Sequence, residues 1–334
     1  MAKKWNADQI AELTRSYQQV CVLAAGVDWD LFTLLAEKAQ TAGQVAGAVH
    51  ADLRAATIIL DALAALGLLS KDAHGYRTPP GVAAALSRGG AHGMLAMAQH
   101  QANCMRRWVQ MSEVFKRGGP AERRGSVRDE AADWAIFVEA MNEISGPVAA
   151  CVIASMPRLE FTHLLDVGGA SGTWTAAFLR ANPKARATLF DLPAVIPQAR
   201  QRLTDAGLIA RVTLAAGDFY ADPLPPGADL AWVSAIVHQN SRAQNCALFS
   251  RIGAALAPGG YVAIRDFVMD DSRTQPPAGA LFAVNMLVGT PAGGTFTLAE
   301  LAADLAEAGF GPAELVRRDQ GMHSIVLARK AHGG

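Results

Sequence analysis

The chain has no excess of either charge: 30 Lys and Arg balance 30 Asp and Glu over 334 residues, a formal net charge of +0. No overall field draws it toward nucleic acid or an anionic membrane surface, so small-molecule chemistry is the expectation. Cysteine is also sparse. Cys21, Cys104, Cys151 and Cys246 are scattered without a CxxC pair, which argues against a zinc site or disulfide frame and fits buried or free thiols in a reducing compartment. The N-terminal stretch lacks the apolar core of a signal peptide. The richest later run, residues 56–69, is shorter than a membrane span and carries Asp61. A cytoplasmic protein with neither nucleic acid nor membrane as partner is expected.

What the chain has in quantity is apolar material, 51% of residues, enough for two domains at this length. From about residue 7 to 110 the pattern is helical. Ile10, Leu13, Tyr17, Val20 and Ala24 recur at spacings of three and four and predict one long opening helix with a single apolar face. Helices are expected over 31–38, 41–49 and 53–66, the last ending at Gly67, before two short strands around a polar turn in LLSKDAHGYRTPPG. Three helices and a small hairpin in this order look like a winged helix. Its candidate recognition helix, 53–66, offers Arg54 alone as a basic group and carries Asp61, poor equipment for neutralising phosphates. An apolar helical domain of this kind is expected either to bury itself against a second copy, as a homodimer, or to close on its own core.

Residues 92–157 are again helical, interrupted by Gly118, Gly119 and Pro120. From His163 onward the period changes. HLLDVGG, RATLFD, RVTLAAGD, ADLAWVSAIV and YVAIRDF are short apolar runs separated by segments of helical spacing, the signature of a parallel α/β sheet. AELVRRD and HSIVLARK are separated only by Gln320, Gly321 and Met322, which predicts a terminal antiparallel hairpin.

Three features then fall in chain order at successive strand ends. Asp166-Val167-Gly168-Gly169-Ala170-Ser171-Gly172 follows the first strand, where glycines allow a tight turn and close ligand approach. Taken alone it also fits other nucleotide-binding turns. Asp191 ends the second strand, where its carboxylate can accept both ribose hydroxyls of an adenosine or simply cap a helix. Asp218 and Phe219 close the third, an acceptor for an exocyclic amine beside an aromatic face. Ligands of open α/β sheets lie at those carboxyl ends, so the three together point to one adenosine-bearing cofactor. His238 sits just past the fourth strand on the same edge, and imidazole can accept a proton near neutral pH.

Over nearly its whole length the sequence resembles the plant and bacterial small-molecule O-methyltransferases that include caffeic acid O-methyltransferase and polyketide-tailoring enzymes. The resemblance lies in the winged-helix region, the glycine motif, FDLP, GDF, the strand leading to His238, and APGG before the fifth strand. It implies a Rossmann-like, seven-stranded catalytic domain over 158–334, a winged-helix-like dimerisation domain over 1–105, and a helical connector over 106–157 that contributes to the substrate pocket. It further implies S-adenosylmethionine as cofactor, held by Gly168, Asp191, Asp218 and Phe219, with Ser145 and Ser234 near its methionine end. His238 would be the general base of an in-line methyl transfer that needs no metal, oriented by Asp266 at the end of the fifth strand. Asp266 is otherwise a surface charge beside Arg265. Phe137, Met141, Asn285 and Met286 match substrate-lining positions and would equally suit a core. His100 and His323 are further histidines able to face the cleft.

The chain departs from the pattern at several points. Ala170 stands where the family carries a third glycine, Gln239 where it has Asp after the histidine, and Asn240 where it has an aromatic residue. Neither Thr295 nor Phe296 can replace a second family acid. The expected activity is O-methylation of a small aromatic or polyketide-like hydroxyl. Alternatives are N- or C-methylation or a non-methylating decarboxylation or hydroxylation on the same cofactor fold, and, from another class, a winged-helix protein that senses the cofactor.

Overall fold

Side-chain caps set most of the N-terminal helices in this computed structural model, which describes residues 4–331. Helix α1 (Ala7–Arg15) opens on Asn6, whose carboxamide accepts from the Gln9 backbone while the Gln9 side chain accepts from the Asn6 N–H. The anticipated single opening helix is broken at Ser16, whose N–H and hydroxyl both turn back to the Leu13 carbonyl, and α2 (Tyr17–Asp28) follows. α3 (Leu31–Leu34) is shorter than expected, because Leu35 leaves the helical region. α4 (Ala42–Ala48) and α5 (Leu53–Ala65) are capped by Thr41 and Asp52. The hairpin of β1 (Ser70–Asp72) and β2 (Gly75–Arg77) gains a third edge through paired backbone bonds between Gln40 and Tyr76, which completes the wing. α6 (Pro80–Leu86) and α7 (Leu95–Trp108) close this region around Val27, Phe32, Leu35, Leu60 and Leu63.

The chain forms two compact units, residues 1–106 with 124–143, and residues 107–123 with 144–334. The segment 106–157, anticipated as a connector, is therefore shared out between them. In the first unit the guanidinium groups of Arg106 and Arg128 both meet Asp28, tying the 124–143 segment to α2. α8 (Met111–Arg117) lies in the second unit, and α9 (Glu130–Ala154) contributes residues to both. Among the described residues α9 is the one helix long and apolar enough to cross a membrane. Within the first unit its Glu143 carboxylate accepts from the Ala96 and Met97 N–H groups at 3.2 and 2.7 Å, capping the start of α7.

The second unit holds a seven-stranded sheet of β3 (His163–Val167), β4 (Arg186–Asp191), β5 (Val212–Ala216), β6 (Ala228–Ser234), β7 (Leu256–Asp266), β10 (Glu314–Arg317) and β11 (Ser324–Arg329). Spatial order is β10-β11-β7-β6-β3-β4-β5. The five strands from β7 to the β5 edge are parallel, and β11 is antiparallel to both neighbours, as the short link before it required. Between β3 and β6 the chain reverses direction across the sheet, the switch point at which such sheets open a ligand crevice. Helices α10 (Thr173–Ala181), α11 (Ile196–Asp205), α12 (Arg242–Ala255), α13 (Pro277–Gly289) and α14 (Leu298–Glu307) follow the strands. The two-residue strands β8 (Val268–Met269) and β9 (Phe296–Thr297) pair beside the sheet. Residues of alternate parity on each strand feed two cores: Leu165, Val233 and Ile264 on one face, Leu164, Trp232 and Ala263 on the other. Burial on both faces is why these strands read as continuous apolar runs.

Candidate active site

The cofactor edge begins at the β3 turn. Gly168 has φ +68°, and a Cβ there would stand 2.7 Å from Ile236 Cδ1 and 3.6 Å from the Phe219 ring, so glycine alone leaves the cradle open. Ala170 also occupies the left-handed region, at φ +47°, which strains an alanine and explains why glycine suits that position. Its N–H donates to Asp191 Oδ2 at 2.7 Å, and the Leu192 N–H donates to Oδ1 at 2.7 Å. Burial pushes the Asp191 carboxyl up against these two stabilising bonds. Each oxygen keeps a second lone pair for a ligand hydroxyl.

Beneath the turn lies a residue the sequence did not single out. Asp166 is buried, and its Oδ2 accepts the Thr175 hydroxyl at 2.6 Å. Burial, opposed by that hydrogen bond and reinforced by the charge of Asp191, pushes its carboxyl up to about 7. Asp218 follows β5 and accepts the Tyr220 N–H on Oδ1 at 2.8 Å.

The second half of the site grows from the end of β6. Ala235, at φ +57°, swings the chain off the strand while its N–H donates to the Arg265 carbonyl at 2.8 Å, and a single 3-10 turn, Val237–Gln239, presents His238. His238 Nδ1 lies 3.0 and 2.8 Å from the two carboxylate oxygens of Asp266, which is itself 1% exposed at the end of β7. The pairing puts the proton on Nδ1 and leaves the Nε2 lone pair available. Phe282 of α13 meets the imidazole edge-on, with centroids 4.8 Å apart at 87°. From the other side the loop before β9 clamps the turn. The Gly294 N–H donates to the His238 carbonyl at 2.8 Å, and a Cβ on Gly293 would stand 2.5 Å from that same oxygen. Neither Phe282 nor Gly293 carries a signal in the sequence that would have marked it.

Gly168, Asp191, Asp218, Phe219, Ser234, His238 and Asp266 thus share one edge of the second unit. The Ser234 hydroxyl accepts from Arg265 at 2.9 Å. Arg265 is buried over the Trp174 ring, 4.6 Å from its centroid, and donates through Nε to His323 Nδ1 at 3.0 Å. Burial lowers the Arg265 guanidinium to about 10, and burial with the Arg265 charge lowers the His323 imidazole, so His323 serves this guanidinium as a neutral acceptor. Asn285 Oδ1 accepts the Trp108 indole N–H at 2.9 Å, and Met286 is buried on the same helix. Ser145 is buried on the part of α9 that belongs to this unit. Phe137 and Met141 belong to the first unit, where Phe137 packs on His100 and Trp134 at centroid distances of 5.2 and 5.9 Å.

The glycine cradle, the two strand-end carboxylates and the aromatic face fit an adenosine-bearing cofactor, and the histidine beside them fits proton removal. Comparison with known proteins gives the family. Residues 111–311 match the O-methyltransferase domain, and residues 11–85 match the O-methyltransferase dimerisation domain. The chain is 34% identical over 311 residues to the tetracenomycin polyketide synthesis 8-O-methyl transferase TcmO of Streptomyces glaucescens, covering 90% of each chain. It is 30% identical over 332 residues to the 3-hydroxy-5-methyl-1-naphthoate 3-O-methyltransferase of Streptomyces sahachiroi, covering 96% of this chain and 95% of that one. In fold it resembles the solved structure of PigF with SAH, at a TM-score of 0.86 and 21% identity, over 98% of this chain and 100% of the other. With both of its regions matched and its ligand edge built as described, the chain belongs to the O-methyltransferase family.

Proposed function

We propose that the protein methylates a hydroxyl of a small aromatic or polyketide-like secondary metabolite, with S-adenosylmethionine as methyl donor and His238 as general base. The observation that carries this reading is the His238 to Asp266 pair on the same strand edge as the glycine cradle. Gly168 would admit the cofactor backbone, Asp191 the ribose hydroxyls, and Asp218 with Phe219 the adenine, while Ser145 and Ser234 would face its methionine end. When bound, the cofactor supplies an electrophilic methyl on a sulfonium. His238 Nε2 would take the proton that the acceptor's hydroxyl gives up on methylation. Asp266 holds Nδ1–H and stabilises the imidazolium that results. No protein metal ligand takes part in this sequence.

The names of two relatives support this acceptor class: TcmO acts in tetracenomycin polyketide synthesis and the second relative on a hydroxynaphthoate. Asn285 and Met286, on the helix that brings Phe282 to His238, support acceptor binding. For Phe137 and Met141 that role rests on the family resemblance alone. A homodimer through the dimerisation region, a cytoplasmic location, and no nucleic-acid or membrane partner complete the reading. The test is methyl transfer to hydroxynaphthoate and tetracenomycin-type phenols, read by product mass and by the position of the new methyl. His238→Ala is expected to lose roughly 10²- to 10⁴-fold in kcat while still binding S-adenosylhomocysteine. Full activity in that variant removes His238 from the chemistry. A methyl found on nitrogen or carbon, or a product lighter by a carboxyl group, selects the other cofactor-dependent reactions.

A further inference from the structure

Asn240, one of the positions at which this chain leaves the pattern of its family, is bonded to a hydroxyl from the loop after β5. Asn240 is wholly buried, and its Oδ1 accepts the hydroxyl of Tyr220. Its Nδ2 donates to Asn245 Oδ1 at 2.9 Å, and Asn245, also wholly buried, donates to the carbonyl of Val237 at 3.2 Å. Val237 is the residue before the base. Buried carboxamides are costly unless paired, and here the pairing runs from the turn that carries His238 to the loop after β5.

Tyr220 is equally tied to the adenosine side of the edge. Its N–H donates to Asp218 Oδ1 at 2.8 Å, and its ring packs on Phe219 with centroids 4.6 Å apart at 52°. Burial and the charge of Asp218 push its phenol up, so the hydroxyl is a donor at neutral pH. An uninterrupted series of bonds therefore leads from Asp218 and Phe219 through Tyr220, Asn240 and Asn245 to the backbone of the His238 turn.

We propose that Tyr220 is a positioning residue, which locks the Val237–Gln239 turn to the Asp218–Tyr220 loop so that filling the adenosine site sets the orientation of His238. This rests on the reading of His238 as base and of Asp218 with Phe219 as the adenine end. Asn240 then supplies by hydrogen bonding a support for the base turn at a position where the family has an aromatic residue.

The test uses the full chain with its eight histidines labelled at 13Cε1, and the His238 signal is assigned by its loss in His238→Gln. Adenosine is the probe, because it fills the adenine and ribose positions and has no methionine end to reach the imidazole. In wild type, saturating adenosine is expected to displace the His238 signal. In Tyr220→Phe, whose ring is partly exposed and keeps its contact with Phe219, the displacement is expected to fall at least about fivefold while the calorimetric Kd stays within about threefold. An unmoved His238 signal in wild type overturns the proposal, as does an undiminished displacement in Tyr220→Phe. A Kd weakened more than about tenfold in Tyr220→Phe also overturns it, since the ring would then serve ligand binding itself. The base reading fails by a separate result, undiminished methyl transfer by His238→Ala, which leaves the coupling measured by adenosine untouched.

Discussion

A carboxyl held protonated beneath a ligand turn makes a specific pH dependence. Asp166 titrates at about 7 in the folded chain, against an ordinary value near 3.8 in the unfolded one. Below about pH 4 the group is protonated in both states and contributes no difference. As pH rises toward 7 the unfolded chain releases its proton first, so folding is progressively destabilised, and above about pH 7 the whole penalty, on the order of a few kcal/mol, applies. Asp166→Asn retains an acceptor for the Thr175 hydroxyl and removes the charge. Urea denaturation at about pH 5 and about pH 8 is expected to show the variant gaining on wild type at the higher pH. Parallel behaviour at the two pH values would mean that the burial of Asp166 is relieved in solution. The same proton matters to the neighbouring Asp191, because a neutral Asp166 spares it a second buried negative charge.

At the scale of elements, catalytic geometry here is made by turns and the loops that clamp them. The 3-10 turn of His238 is held by Asp266 from β7, by Phe282 from α13 and by the loop at Gly293. The last contact leaves no room for a methyl: the atom 2.5 Å from a Cβ on Gly293 is a backbone oxygen, which no side-chain rotation moves. Gly293→Ala is therefore expected to shift the turn and lower kcat on a phenolic acceptor by about tenfold or more, since small displacements of a reacting group are expensive. Binding of S-adenosylhomocysteine, at the other half of the edge, is expected to stay within about threefold of wild type. Equal losses in both measurements would place the damage in the fold of the unit rather than at the turn.

At the scale of the whole molecule, four of the five residues of the apolar face read from the first helices are exposed, while the fifth, Ala24, joins the buried core of its unit. Ile10, Leu13, Tyr17 and Val20 are 50, 57, 60 and 51% exposed, and α1 buries no residue at all. An apolar stripe of this size in a region that matches a dimerisation domain calls for a second copy. Leu13→Glu combined with Val20→Glu is expected to convert a dimer to a monomer in light scattering. A wild-type monomer, or a dimer indifferent to both charges, would leave the stripe without that partner.

How much of this was legible in the linear chain differs by scale for physical reasons. Strand and helix alternation, the closing hairpin, the glycine turn and the acids at Asp191 and Asp218 were all readable, because periodicity, turn chemistry and strand-end position are local properties. The break at Ser16 was not, since the apolar spacing continues across it and the stop is marked by bonds from the Ser16 N–H and hydroxyl back to the Leu13 carbonyl. The pairing of Asp266 with His238 was expected from resemblance, and its geometry needed β6 and β7 to lie side by side. Asn240 reads as a loss when compared with a family pattern, and in the folded chain its carboxamide accepts the hydroxyl of Tyr220, 20 positions earlier. Sequence by itself determined the alternation of strands and helices in the sheet region, the glycine turn and the family. Only tertiary structure decided how His238 is held, that burial raises the Asp166 carboxyl, and which apolar face is left uncovered, because each depends on groups distant in the chain meeting where water is excluded.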